Sequence, residues 1–229
     1  MNSIPTVTDF ILANSSLQIQ TEHGTSPEQG WRMFNSGGVE ADIGEFLFGL
    51  VRMCKPTHIL ETGTHLGISS SYFALALAEN QLPGTLITLE FDEGNHQKAK
   101  QLWQTLGITD RIDGRAMRSM EHKPPVDFYD MILLDTEPNI RFDEFVHFMP
   151  SLKPGGILLI HDLHEHLGHD DRVTNGMYDW PYGDFRPKLG PAIKSHQVSV
   201  MSFKTPRGLT MFQKMSPEHG SFNLLTGKW

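Results

Sequence analysis

Four acids and a histidine stand at the ends of short apolar runs. Glu61 closes H-I-L-E, Glu90 closes L-I-T-L-E, Asp135 closes M-I-L-L-D, and His161 and Asp162 follow G-I-L-L-I. If those runs are parallel strands, their carboxyl ends are where an open α/β sheet takes its ligands. A single acid at a strand end has ordinary uses as a helix cap or turn residue, but a row of them points to a site. His161, His164, His166 and His169 fall within nine positions, and an imidazole near neutral pH can remove a proton from a hydroxyl or ligate a metal. The same residues also have a plain reading, in which the outer histidines are solvated loop residues. His161 is the strongest candidate because a strand end fixes its position.

The turn Glu61-Thr62-Gly63-Thr64-His65-Leu66-Gly67 carries glycines where backbone must approach a ligand and where helix packs on strand. It departs from the G-x-G-x-x-G of dinucleotide sites, because an acid occupies the place of the first glycine. A carboxylate there repels a pyrophosphate and suits a cationic cofactor. Glu90 lies 23 residues beyond Gly67, placed to accept hydrogen bonds from the two hydroxyls of a ribose. Together Glu61 and Glu90 suggest a nucleoside that carries positive charge.

These residues need a scaffold. Ile43, Phe46, Leu47, Leu50 and Val51 form one helical stripe that stops before Lys55-Pro56. Strands are expected at 58–61, 86–90, 130–135 and 156–160, with helices at 69–79, 95–106 and around 142–149, and with Gly107 as a C-cap. Apolar runs without alternation, separated by helices, indicate a parallel sheet covered on both faces. Residues 197–203 and 209–214 flank the short T-P-R-G loop and must pair antiparallel. Residues 1–38 read as an N-terminal cover segment, in which Phe10, Ile11 and Leu12 fit a short helix or a dimer contact. Residues 39–229 read as one domain, with a polar, lid-like loop at about 163–195.

Composition narrows the classes. A chain of 229 residues suits one core, and a net charge of -8 is the wrong sign for a nucleic-acid backbone partner, so a small molecule is expected instead. The single cysteine, Cys54, excludes an internal disulfide framework and a Cys-rich zinc site, which makes the reducing cytoplasm the expected compartment. No apolar run approaches the roughly 20 residues of a membrane span, so no membrane partner is expected.

The ordered series I-L-E-T-G-T-H-L-G-I-S-S-S, L-I-T-L-E, G-I-T-D-R-I, Y-D-M-I-L-L-D and L-K-P-G-G-I-L-L-I-H-D-L resembles class I S-adenosylmethionine-dependent methyltransferases, most of all the small O-methyltransferases of the catechol and caffeoyl-CoA type and their bacterial relatives. The resemblance covers about residues 36–214. It implies an α/β, doubly wound, mostly parallel seven-stranded sheet with a C-terminal antiparallel hairpin, the Rossmann-like methyltransferase fold. Glu61, Gly63, His65, Gly67 and Ser69 match the loop that holds the methionine part of S-adenosylmethionine, and Glu90 matches the ribose acid. Ala116 and Met117 match the adenine border, Gly38 and Val39 the strip that closes over the cofactor, and Asp135 the acid after the fourth strand of the family's sheet. A homodimer is common for such proteins.

In the metal-dependent members, oxygen ligands hold a magnesium ion; the matching positions here are Asp135, His161 and Asp162. Imidazole favours manganese or a later transition metal over magnesium, and Asp162 has the alternative of capping the next loop. The family's catalytic lysine is replaced by Pro138, which disfavours a lysine-based mechanism. The resemblance therefore implies transfer of a methyl group to an oxygen of a small-molecule acceptor. Asp135, His161 and Asp162 would orient and activate that acceptor, with His161 or His164 as base. Tyr178, Trp180, Tyr182 and Phe185 offer walls for a pocket under the loop. Two rivals stay open: a nicotinamide-dependent oxidoreductase on a similar sheet, and a non-catalytic scaffold.

Overall fold

The structure, a computed structural model, describes residues 5–23, 30–163, 198–203 and 205–215. The chain clusters into two compact units, Met1–His122 and Lys123–Trp229.

In the first unit, α1 (Val7–Ala13) opens with a capping box in which Asp9 Oδ2 accepts the Thr6 N–H at 2.8 Å and Thr6 Oγ1 accepts the Asp9 N–H at 3.2 Å. The strands β1 (Ile19–His23) and β2 (Gly30–Phe34) then pair antiparallel. Sequence reading misses this hairpin for a physical reason: no residue from Ile19 to Glu22 is buried, so the apolar pattern is too thin to mark a strand. The expected stripe is α2 (Ala41–Cys54), with Ile43, Leu47, Leu50 and Val51 buried and Phe46 half-buried. It ends at Lys55 in the left-handed region, whose N–H reaches Val51 O, just before Pro56. Cys54 is free and exposed there.

Next come β3 (His58–Thr62), α3 (Ile68–Asn80), β4 (Thr85–Glu90), α4 (Glu93–Leu106) and β5 (Ile112–Ala116). Helix α3 is buried around most of its circumference, and α2 approaches it at Gly44, where a Cβ would stand 2.2 Å from the Tyr72 ring. Polar contacts tie α1 onto this pair. Glu45 Oε1 accepts both the N–H and the hydroxyl of Thr8 at 2.6 Å, and Thr8 Oγ1 lies 2.7 Å from the Tyr72 hydroxyl, whose pKa burial pushes up. Asp92 caps α4 by accepting the Asn95 N–H at 2.7 Å, and Gly107 ends it at φ +69° as expected. The strand β5 was legible only as a motif segment, because I-D-G-R-A lies at the sheet edge with no fully buried residue.

The second unit holds β6 (Tyr129–Leu134), α5 (Pro138–Phe148), β7 (Leu152–His161), β8 (Val198–Phe203) and β9 (Leu209–Lys214). Pro138 starts α5 earlier than the expected 142, at the first helical position where its missing N–H costs nothing. The strand β7 begins at Leu152 rather than Gly156, because a register shift between Tyr129 and Met131 lets it pass through Pro154 and Gly155 (φ +79°).

The seven-stranded sheet runs β5-β4-β3-β6-β7-β9-β8. The pairs β3/β4, β4/β5 and β6/β7 are parallel, whereas β7/β9 and β8/β9 are antiparallel. This is the mostly parallel sheet with a C-terminal hairpin that the motif order implied. Among the described residues, no helix is long and apolar enough to cross a membrane. The lid-like loop from 164 onward lies outside the described residues, and with it His164, His166, His169 and the aromatics at 178, 180, 182 and 185.

Candidate functional site

In the first unit, the parallel register sets Thr88 beside Glu61, so both point to one face of the sheet. Glu61 is fully buried there; its Oε2 accepts the Thr88 hydroxyl at 2.5 Å and the Ser70 hydroxyl, and Thr64 Oγ1 lies 2.5 Å from Thr88 Oγ1. Glu61 thus sits beneath the turn and holds it from below. Ser70, not Ser69, makes this contact, although Ser69 is also buried in the first turn of α3.

The turn itself needs left-handed backbone at Gly63 (φ +83°), His65 (φ +49°) and Gly67 (φ +82°). Glycine is required at 67 on two grounds, since a Cβ there would also stand 2.6 Å from Trp103 Nε1. Glu90 fastens the turn from above. Its Oε2 accepts the His65 N–H at 2.7 Å and its Oε1 the Asp92 N–H at 2.9 Å, while the Met117 N–H reaches Glu90 O at 2.8 Å. Glu90 is thus bonded to both His65 and Met117, and Gly67 lies two residues further along the same turn. Ala116 is exposed beside them, and Gly38 lies with its Cβ position 3.5 Å from Ile68, the first residue of α3, next to the buried Val39. The first turn of α3 carries no acidic residue.

Phe91 went unread. It follows Glu90 with 54% exposure, and the Arg118 guanidinium stacks over its ring at 5.1 Å. The available signal was a large apolar residue directly after a strand-end acid.

In the second unit, the ends of β6 and β7 bring Asp135, His161 and Asp162 together, with one ligand atom from each lying within 4.8 Å of the others. His161 Nδ1 is 3.0 Å from Asp135 Oδ1 and 3.6 Å from Asp162 Oδ1. Of the two candidate bases, His161 and His164, the sequence favours His161 because a strand end fixes it. The strand does fix it, but inside: His161 is fully buried and serves Asp135, and Asp135 is the more accessible group at 14% exposure. Asp162 adopts φ +57°, with its N–H on Gly208 O at 2.8 Å, so the turn into the C-terminal hairpin positions it.

Sequence reading also missed two arginines. Arg141 Nη2 lies 3.2 Å from Asp135 Oδ1 and 3.5 Å from Asp162 Oδ2; its Nε donates to Thr136 O at 2.7 Å, and its Nη1 donates to His161 O. Arg207 Nη2 donates to Asp162 Oδ2 at 3.0 Å, with Nε 3.0 Å from Oδ1. Burial alone would raise the Asp162 carboxyl, but His161, Arg207 and Arg141 outweigh it and hold Asp162 below its ordinary range.

The donor set has the spacing for a divalent ion but not the charge balance. Two guanidiniums already compensate the two carboxylates, and an effective dielectric near 20 gives about 4 kcal/mol of repulsion per pair of unit charges at 4 Å, about double for a dication. The residues present therefore do not fit a divalent metal.

Comparison with known proteins agrees with the fold. A family model described as a methyltransferase domain matches residues 60–163. The catechol O-methyltransferase of Niastella koreensis is 30% identical over 129 residues, which are 54% of this chain and 57% of that protein, so the chain spans little more than half the length of such curated relatives. Among solved structures, the O-methyltransferase TomG of Streptomyces achromogenes, involved in tomaymycin synthesis and solved with S-adenosylmethionine, aligns with TM-score 0.62 at 22% identity, covering 78% of this chain and 82% of that one. The Podospora anserina methyltransferase PaMTH1, solved with S-adenosylhomocysteine, gives 0.66 at 15% identity, covering 94% and 100%. The resemblance read from the motif series is borne out, and the sheet is that of these methyltransferases.

Proposed function

We propose that this chain is an S-adenosylmethionine-dependent O-methyltransferase acting on a small molecule. The observation that carries this reading is Glu90 at the end of β4, whose carboxylate is fixed by the N–H groups of His65 and Asp92 at the mouth of the left-handed turn. A carboxylate oxygen has two acceptor sites, so Glu90 retains capacity for ribose hydroxyls beyond those backbone bonds. Phe91 and Met117 offer apolar surface for a purine, and the acid-free first turn of α3 leaves helix N–H groups for a carboxylate. When bound, S-adenosylmethionine supplies a methyl group already attached to a good leaving group, so the protein's main task is alignment.

Asp135 is the acceptor-facing group in this reading. His161 and Arg141 fix its carboxylate, which then orients the acceptor hydroxyl and takes up its proton. A divalent ion has no part in the reading, because guanidinium groups already balance the charge that would hold it. A nicotinamide cofactor is disfavoured by Glu61, an acid where a dinucleotide-binding turn carries its first glycine. Titration calorimetry with S-adenosylmethionine, S-adenosylhomocysteine and NAD tests this, followed by measurement of S-adenosylhomocysteine formed with phenol, catechol and carboxylate acceptors. Binding of the first two and turnover with one acceptor class are expected; binding of NAD alone, or of none of them, would overturn the proposal.

A further inference from the structure

We infer that the Arg141 guanidinium takes the place of a bridging metal ion between Asp135 and Asp162, and that this side chain keeps divalent ions out of the cluster. The inference rests on the methyltransferase reading for its bearing on catalysis, but not for the binding behaviour it entails.

Arg141 is 3% exposed, and a charge so enclosed must find partners for its donors. It finds them on four sides: the carbonyls of Thr136 and His161, and the carboxylates of Asp135 and Asp162. One nitrogen, Nη2, faces both carboxylates, at 3.2 and 3.5 Å. That is the position between the two carboxylates that a divalent ion would need, the cluster's ligand atoms being those carboxylate oxygens and a ring nitrogen of His161.

The anchoring also makes the arrangement hard to displace. Arg141 sits in the first turns of α5, and its planar fork bonds back to the backbone immediately before that helix and to the end of β7. Swinging it out to admit a cation would forfeit two carbonyl bonds and expose a pair of carboxylates to a new charge. Arg207 adds a second lock from the turn between β8 and β9, occupying Asp162 from its other side. His161 cannot act as a ligand through Nδ1 without giving up Asp135. Arg141 is thus a positioning residue: it holds Asp135 in the orientation that a metal would otherwise impose, and it supplies a fixed positive charge beside the acceptor oxygen.

The test uses the full chain and manganese alone as probe. Free Mn2+ is counted by electron paramagnetic resonance while the ion is titrated into the wild-type protein, with and without S-adenosylmethionine, and turnover is compared before and after chelation. The expected result is no Mn2+ uptake and no loss of turnover. Arg141→Met should gain stoichiometric Mn2+ binding, abolished again by adding Asp135→Asn, while Arg141→Lys, which keeps a cation in place, should stay closed to the ion. If Arg141→Met does not fold by circular dichroism, the half-open Arg207→Gln serves instead and should gain weaker Mn2+ binding. Stoichiometric Mn2+ binding by the wild-type protein that Asp135→Asn removes would overturn the inference, as would a folded Arg141→Met that still takes up no ion. Failure of S-adenosylmethionine to bind would refute the methyltransferase reading alone, leaving the Mn2+ result to decide this one.

Discussion

Glu90 Oε2 accepts the backbone N–H of His65 at 2.7 Å, which ties the end of β4 to a residue held in the left-handed region. One carboxylate therefore shapes the turn and, in the proposed function, also accepts from the ribose. Glu90→Gln should weaken S-adenosylmethionine binding by about 1–3 kcal/mol, the scale of a charge-assisted hydrogen bond. Calorimetry at constant salt checks this, and unchanged affinity would remove Glu90 from the ribose site.

Gly67→Ala should destabilise the protein by about 1–3 kcal/mol, since it combines a left-handed φ with overpacking against Trp103. Urea unfolding monitored by tryptophan fluorescence measures it. Gly107→Ala is the control: its φ is also positive, yet nothing lies within 4 Å of the added Cβ, so it should cost less.

Asp135→Asn should reduce turnover by about 10²-fold or more, the scale of a lost general base, while leaving S-adenosylmethionine affinity close to wild type. Single-turnover kinetics beside calorimetry separates the effects. Equal loss in both would mean that Asp135 supports the cofactor rather than the acceptor.

His96 should titrate below the 6.5 of an ordinary imidazole, because burial and then Lys100 disfavour its charged form more than Glu93 and Glu90 support it. Its folded pKa is thus below its unfolded one. The associated stability is complete above the unfolded value and is lost as pH falls through the folded one. Proton NMR of the imidazole gives the midpoint, and His96→Phe should flatten the fall in urea stability below neutral pH. A midpoint at or above 6.5 would contradict the assignment.

The sequence by itself determined the order of the elements and the row of strand-end acids. Buried parallel strands must be continuous apolar runs, and a helix must carry its stripe at a fixed period, so β3, β4, β6, α2 and α4 were all legible. Local runs failed where burial is thin or where register is irregular: the β1/β2 hairpin, the edge strand β5 and the bulged start of β7. Only the tertiary structure decided what the acids do. Thr88 reaches Glu61 through strand register, and Arg207 reaches Asp162 across 45 residues through a hairpin turn. Arg141 meets Asp135 and Asp162 because a helix start and two strand ends converge. Charge compensation depends on distances of a few ångströms between residues far apart in the chain. Motif spacing therefore identified the donors of a possible metal site but not the guanidiniums that close it.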